Sequence, residues 1–260
     1  MIKKLSFVFL SLLFSIAAFA QGNWGGGVDD ETLHFGFTFQ YIGSEYKIQK
    51  SVNWKEPLFN REDLANFPNP QKVDTLVSIS SALNPGFGLG FVSDLYLTKH
   101  LNLRFTPTLT FTDRVVDYSF KHSNDDYKQD KVEAPDGKIR RSVNATMVDF
   151  PLSLKLKSDR RNNFRAYLIG GLKYGIDIAS KKKFDDETKD YFQKFLKNQK
   201  KFMSYEIGIG FDLYFEFFKL SPEIKLSNSF KSVLKRDNEP YSESIDKLFL
   251  RNFVFSLYFE

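Results

Sequence analysis

Apolar and polar positions alternate with a period of two along eight stretches of the chain, the rhythm of strands with one apolar face. In residues 33–41, Leu33, Phe35, Phe37, Phe39 and Tyr41 share one face and His34, Gly36, Thr38 and Gln40 the other. Over 86–97, Phe87, Leu89, Phe91, Leu95 and Leu97 oppose Gly86, Gly88, Gly90 and Asp94. Residues 101–112 set Leu101, Leu103, Phe105, Leu109 and Phe111 against Asn102, Arg104 and four threonines. Two further stretches flank a short charged turn. Val148, Phe150, Leu152, Leu154 and Leu156 oppose Asp149, Ser153 and Lys155; then Phe164, Ala166, Leu168, Leu172, Tyr174 and Ile176 oppose Arg165, Lys173 and Asp177. The pattern recurs over 205–215, with Glu206, Gly208, Gly210 and Asp212 on the polar side, more weakly over 220–230, and again over 252–260.

The connections alternate in length. Long ones (42–85, 113–146, 178–204 and 231–251) follow the odd strands, and tight ones (Thr98 to His100, Ser158 to Asn163, Glu216 to Lys219) follow the even strands. A meander with two unlike ends is the arrangement of outer-membrane barrels, where long loops face outside and turns face the periplasm. The predicted fold is all-β: an eight-stranded antiparallel up-and-down transmembrane β-barrel with long extracellular loops and short periplasmic turns. A short amphipathic helix is expected around Thr188 to Phe202. Pro107, Pro151 and Pro222 fall inside strands, where each removes a ladder donor, so bulges or altered strand limits are expected there.

Alternation alone does not decide whether the apolar face meets lipid or a soluble core, since a lipocalin-like barrel has the same period. Three features favour lipid. Most strands reach the roughly 9–11 residues of a tilted span. Glycines 86, 88, 90, 208 and 210 lie on the polar face, where a crowded lumen gains from a missing side chain. Phenylalanine lies on the apolar face of nearly every strand, as a lipid-exposed band requires. The inside then holds Arg104, Asp149, Lys155, Arg165, Lys173, Glu206, Asp212, Glu223 and Lys225. Ions stripped of water must be paired, so this structural network of mixed sign is expected to plug the lumen. An ion or proton path is the alternative.

The N-terminus gives the address. Lys3 and Lys4 precede an apolar core, Leu5 to Phe19, and small residues then mark a cut between Ala20 and Gln21. The expected organisation is a signal peptide at 1–20, a flexible periplasmic lead-in at 21–32 and the barrel at 33–260. The chain's net charge of +5 falls to about +3 without Lys3 and Lys4, with both signs interspersed, which is no nucleic-acid signature. With no cysteine there is no disulfide framework, thiolate metal site or lipid-anchored Cys.

Little suggests chemistry. His34, His100 and His122 fall on separate elements, with no second histidine or paired carboxylates at metal spacing. A loop hydrolase using His122 with Ser123 would need a third, orienting group, which adjacent loop residues seldom provide. "GNWGGG" does not stand between a strand and a helix, so it is no phosphate cradle. "KSDRRNN" is more simply a solvated cap near anionic headgroups than a nucleic-acid patch. No enzyme activity, catalytic residue, metal site, cofactor or small-molecule substrate is predicted.

The hairpin "DFPLSLKLKSDRRNNFRAYLIGGLKYGID" resembles the central hairpin of the PorT/SprT family of Bacteroidota. The likeness continues in "LNLRFTPTLTFTDR", in "YEIGIGFDLYFEFFKLSPEIKLSNSF" and in "PYSESIDKLFLRNFVFSLYFE". The resemblance implies a non-enzymatic integral outer-membrane component of the type IX protein secretion system, required for export of cargo proteins and, where present, for gliding motility. Its implied partners are outer-membrane lipid and other type IX secretion subunits. A self-contained small barrel, such as a minor porin, an adhesin or a lipid-modifying enzyme, is the other reading. One feature departs from the wider barrel pattern: the chain ends Phe259-Glu260 and not on an aromatic residue.

Overall fold

The computed structural model describes residues 32–55, 75–121, 138–178, 196–236 and 240–260. The strands are β1 (Leu33–Lys50), β2 (Thr75–Ser80), β3 (Asn84–Thr98), β4 (Leu101–Phe105), β5 (Thr108–Lys121), β6 (Lys138–Lys157), β7 (Phe164–Asp177), β8 (Lys201–Tyr214), β9 (Lys219–Ser229) and β10 (Ile245–Phe259). A single helical turn, Pro240–Glu243, precedes β10. Both β2 and β3 lie along β5, and β4 and β5 are parted only at residues 106–107, so the ten segments make eight staves. All pairings are antiparallel. The ring closes where Phe37 of β1 stands opposite Phe259 on one side and Phe91 on the other. The eight-stranded antiparallel barrel predicted from periodicity is the fold observed.

Tight turns join the staves at one end. In the turn at 158–163, Arg161 and Phe164 exchange backbone hydrogen bonds of 2.9 and 3.0 Å. Asn162 takes a positive φ of 53°, which asparagine tolerates because its short polar side chain bonds locally.

At the other end the strands run further than the expected loop limits. β1 continues to Lys50, β5 to Lys121, and β6, β8 and β10 begin at Lys138, Lys201 and Ile245. The reason is an inversion of the alternation. Up to Tyr41, β1 turns Phe35, Phe37, Phe39 and Tyr41 outward; beyond it the outward positions are Glu45, Lys47 and Gln49, while Ile42, Tyr46 and Ile48 turn inward. On β6 the outward Leu156, Leu154 and Leu152 give way to Thr146, Ser142 and Arg140, and Met147, Ala145 and Val143 go inside. On β10, Phe255 and Phe253 are followed outward by Arg251, Phe249 and Lys247, with Leu250 and Leu248 inside. Cross-strand ion pairs decorate this upper outer surface: Glu45 with Arg251 at 3.4 Å and Asp117 with Arg140 at 2.7 Å.

Apolar side chains thus face out where the surroundings are hydrocarbon, and in where they are water. From Phe164 to Tyr174, β7 spans about ten residues; at about 3.3 Å each and a tilt of about 40°, the band is about 25 Å tall, matching a membrane-barrel girdle. Aromatic rings border it at both edges. Phe87 stacks on Phe111 at 4.9 Å and Tyr205 meets Phe230 at 5.3 Å near the loop end; Phe37 stacks on Phe259 at 5.1 Å and Phe215 on Phe218 at 4.8 Å near the turn end.

Two expectations need correction. No bulge occurs at the prolines; the register shifts lie at Gln49/Lys50, Leu76/Ser78 and Tyr96/Thr98. Phe91 donates to the Pro107 carbonyl at 3.1 Å and Thr106 donates to the Pro151 carbonyl at 3.2 Å. Each of these prolines keeps its acceptor and gives up only its donor, so the register is the same on both sides. Pro107 does set a strand limit, and Pro222 lies in β9 opposite Leu257 without a shift. The helix expected at 188–202 is also not seen in its described part. Residues 196–200 are irregular, Lys201 and Phe202 open β8, and Leu196 and Phe202 are buried in a core above the band. Residues 188–195 lie outside the described residues, as do the expected signal peptide and most of the lead-in.

Candidate functional site

The barrel interior is the site with the most concentrated chemistry. All nine predicted lumen charges are buried, on inward positions of β4 and β6–β9. Eight of them fall into one chain of contacts. Lys173 lies 3.7 Å from Asp149 and 3.1 Å from Glu206. Lys225 links Glu206 at 3.7 Å to Glu223 at 3.2 Å. Arg104 reaches Glu223 across the lumen at 3.4 Å and Asp94 at 2.8 Å. Lys155 closes on Asp212 at 2.7 Å, with Asp94 at 4.0 Å. The ninth, Arg165, lies nearer the turns, its guanidinium 5.9 Å from the Tyr214 ring.

Three members were not predicted: Asp94, Lys219 and Glu260. Glu260 accepts from Arg104 at 2.8 Å and also pairs with Lys219, so its side chain is anchored in the lumen. The backbone closes with it, Lys219 N–H donating to the Glu260 carbonyl at 2.7 Å. The terminal glutamate that departs from the usual aromatic ending is therefore an inward position, one step beyond the outward Phe259.

Neutral donors complete the network. Glu223 accepts from Tyr167 at 2.9 Å and Tyr258 at 3.0 Å, and Lys225 donates to Tyr258 at 3.0 Å. Asp94 accepts from Asn102 at 2.7 Å, and Asp212 from Ser221 at 2.7 Å. Lys155 lies 4.0 Å above the Tyr167 ring and Arg104 4.6 Å above that of Tyr258. Such multiple bonding offsets the several kcal/mol, in order of magnitude, that desolvating each ion costs.

The inward glycines follow from this crowding. Glu206 stands opposite Gly171, Lys225 opposite Gly208, Glu223 opposite Gly210 and Asp149 opposite Gly175. A Cβ on Gly208 would meet Lys225 Cγ at 2.6 Å, and one on Gly210 would overlap the Tyr167 ring. These four charged side chains each lie opposite a position that has no side chain.

Among the described residues the interior is crowded from the turns to the loop end. A mid-lumen cavity bordered by Gln40, Asp149, Lys173 and Glu206 measures about 10 Å³, room for about one water. Above it a hydrophobic core of Tyr46, Val116, Tyr118, Met147, Phe202, Leu248 and Leu250 occupies the loop end. Tyr241, from the helical turn, lies over this core. It accepts from Tyr118 through its carbonyl at 2.9 Å and from Arg141 through its hydroxyl at 2.8 Å. His34 is buried, the His100 ring nitrogen lies 3.1 Å from the Lys157 carbonyl, and His122 and Ser123 fall outside the described residues. Among the described residues no cluster of His, Asp or Glu could hold a metal ion.

A closed ring of eight antiparallel staves, apolar outside over a bilayer's height and ionic within, is the architecture of a small outer-membrane barrel. Residues 19–235 match the outer membrane protein beta-barrel domain family, and the chain belongs to that family. Solved structures of similar fold include the outer membrane protein OprG from Pseudomonas aeruginosa, 14% identical, covering 87% of this chain and 93% of OprG with a TM-score of 0.41. Another is Ail, the attachment invasion locus protein of Yersinia pestis, 8% identical over 88% of this chain and 98% of Ail, with a TM-score of 0.33. No curated protein matches the sequence.

Proposed function

We propose that this outer-membrane barrel is a non-enzymatic, integral component of the type IX protein secretion system, needed for export of cargo and, where present, for gliding motility. It acts as a sealed structural subunit and does not itself conduct cargo or solutes. The observation that carries this reading is the filled interior: an ionic network in the lower half and an apolar core in the upper half, with space for about one water between. A porin needs a water-filled lumen, and a barrel that encloses a small molecule needs an internal cavity. The likeness of the 149–177 hairpin and three other stretches to the PorT/SprT family supports assignment to this machine. The strand extensions above the band and the tight turns below it are firm surfaces for other subunits.

Deleting the gene tests the assignment. The expected outcome is a broad block, with many cargo proteins retained in the periplasm and export restored by the full chain. Loss of a single permeability or binding trait with secretion intact would instead identify a self-contained porin, adhesin or lipid-modifying enzyme. Single-channel recording in planar bilayers tests the sealed interior separately. No stable open level is expected, and a steady conductance would refute the plug.

A further inference from the structure

The outer wall of the barrel is not uniform. On β10, β1 and β3 its apolar positions are largely aromatic, among them Phe37, Phe39, Phe91 and Phe255; from β6 to β9 they are mainly aliphatic. In the aliphatic sector two cross-strand rows run side by side across the sheet, one through Leu154, Gly170, Ile207 and Leu226, the other through Leu168 and Ile209. Between them lies a groove of about 560 Å³ that reaches down to Leu156, large enough for a small-molecule site.

Gly170 forms the notch in this groove and, unlike the lumen glycines, faces outward. A Cβ there would meet only the Glu206 carbonyl at an ordinary 3.7 Å, so nothing within the chain requires glycine at this position. Glycine weakens a strand interior and often marks a place where something else approaches closely.

The foot of the groove lies beside the 158–163 turn, two residues beyond Leu156. Arg161 lies on that outer side, exchanging backbone hydrogen bonds with the outward Phe164, whereas Arg160 turns to the lumen side, its guanidinium 3.7 Å from the ring of the inward Tyr214. Lys99 engages Asp159 at 2.8 Å and neutralises it, and Arg161 is exposed, so the turn is positively charged.

We propose that a glycerophospholipid of the periplasmic leaflet binds this site, one acyl chain lying in the groove and its phosphate held by Arg161 of the turn. Every apolar wall in a bilayer touches lipid, so burial of hydrocarbon alone selects nothing. Retention of one molecule follows from shape fit along the notch together with ion pairing at the headgroup. The groove offers almost only apolar surface, which suits an acyl chain, and the sign of the turn suits a phosphate.

The test uses the full-length barrel in dodecylmaltoside, exchanged against dioleoyl phosphatidylglycerol and read by native mass spectrometry. One lipid should survive at detergent levels that strip the rest. Gly170→Leu fills the notch, where a Cβ meets only the Glu206 carbonyl at 3.7 Å, and should lower retention about tenfold, and Arg161→Ala should do the same. Heat-modifiable gel mobility checks that each variant is folded. Inorganic phosphate alone should not bind; if it binds as tightly as the lipid, the acyl-chain half of the site is wrong. Equal retention by wild type and Gly170→Leu would mean annular lipid only and would overturn the proposal. So would a photo-crosslinker at Ile207 that captures a polypeptide in native membranes in place of phospholipid.

Discussion

The lower and upper halves of this barrel use one backbone template and opposite chemistry. Below the switch near Tyr41, the inside is held by ion pairs such as Arg104–Glu223 and the outside is apolar. Above it the inside is a packed apolar core and the outside carries pairs such as Glu45–Arg251. A strand needs one apolar face, and the surroundings decide which face. In lipid, apolar residues gain nothing by turning inward, so the lumen is left to polar groups that must satisfy one another. In water the hydrophobic effect returns and drives the same stripe inside.

The largest effect is expected from removing the hub of the lower half. Arg104→Ala leaves Asp94, Glu223 and Glu260 buried without the cation they share, and should cost at least about 3–5 kcal/mol. Urea unfolding in phospholipid vesicles, followed by loss of heat-modifiable mobility, measures it. A loss under about 1 kcal/mol would mean that water reaches the network, and that the halves differ less than their contacts suggest.

Truncation in the upper core should be nearly as large but confined. Leu248→Ala opens a cavity beside Val233, whose N–H donates to the Leu248 carbonyl at 2.7 Å, and should cost about 3 kcal/mol locally. Hydrogen exchange should quicken over 42–50 and 113–121 while β7 and β8 stay protected. Equal acceleration in β7 and β8 would show that the two halves unfold as one unit.

How much of this was legible in the sequence follows the same divide. The eight staves and three tight turns could be read because, within the band, period two and one polarity coincide. The nine lumen charges came from the same alternation. The strand extensions were missed because a search for apolar-out strands stops where Ile42, Met147 and Leu250 change sides; followed through the inversion, the period continues unbroken. Lys219 looked like the end of a turn and Glu260 like an oddity of the terminus, although Glu260 continues the inward series of Ser256 and Tyr258. Which charges pair across the ring depends on shear and could not be read, since Arg104 and Glu260 are 156 residues apart.

A charge placed on the outer wall sharpens where the divide lies. Ile209→Arg, in the middle of the lipid-facing band, should cost about 2–4 kcal/mol, and Tyr41→Arg, at the switch, only about 0–1. The same vesicle titration reads both. Equal costs would move the membrane boundary above Tyr41 and place the inversion inside the bilayer, where it would lose its explanation.

The smallest net effect should come from replacing an ion pair whole. Lys155 and Asp212 meet at 2.7 Å, both buried, and either Lys155→Met or Asp212→Leu alone strands its partner and should cost about 3–5 kcal/mol. The double replacement puts an apolar contact in the lower lumen like those in the upper core, and should restore stability to within about 1 kcal/mol of wild type. Recovery would mean that the lower half needs its charges matched and its volume filled, and that the two halves differ in composition more than in principle. Failure to recover would show that Lys155 and Asp212 act through the rest of the network, with Asp94 at 4.0 Å and Ser221 at 2.7 Å as the coupled neighbours. The lower lumen would then be a single polar unit that cannot be exchanged pair by pair.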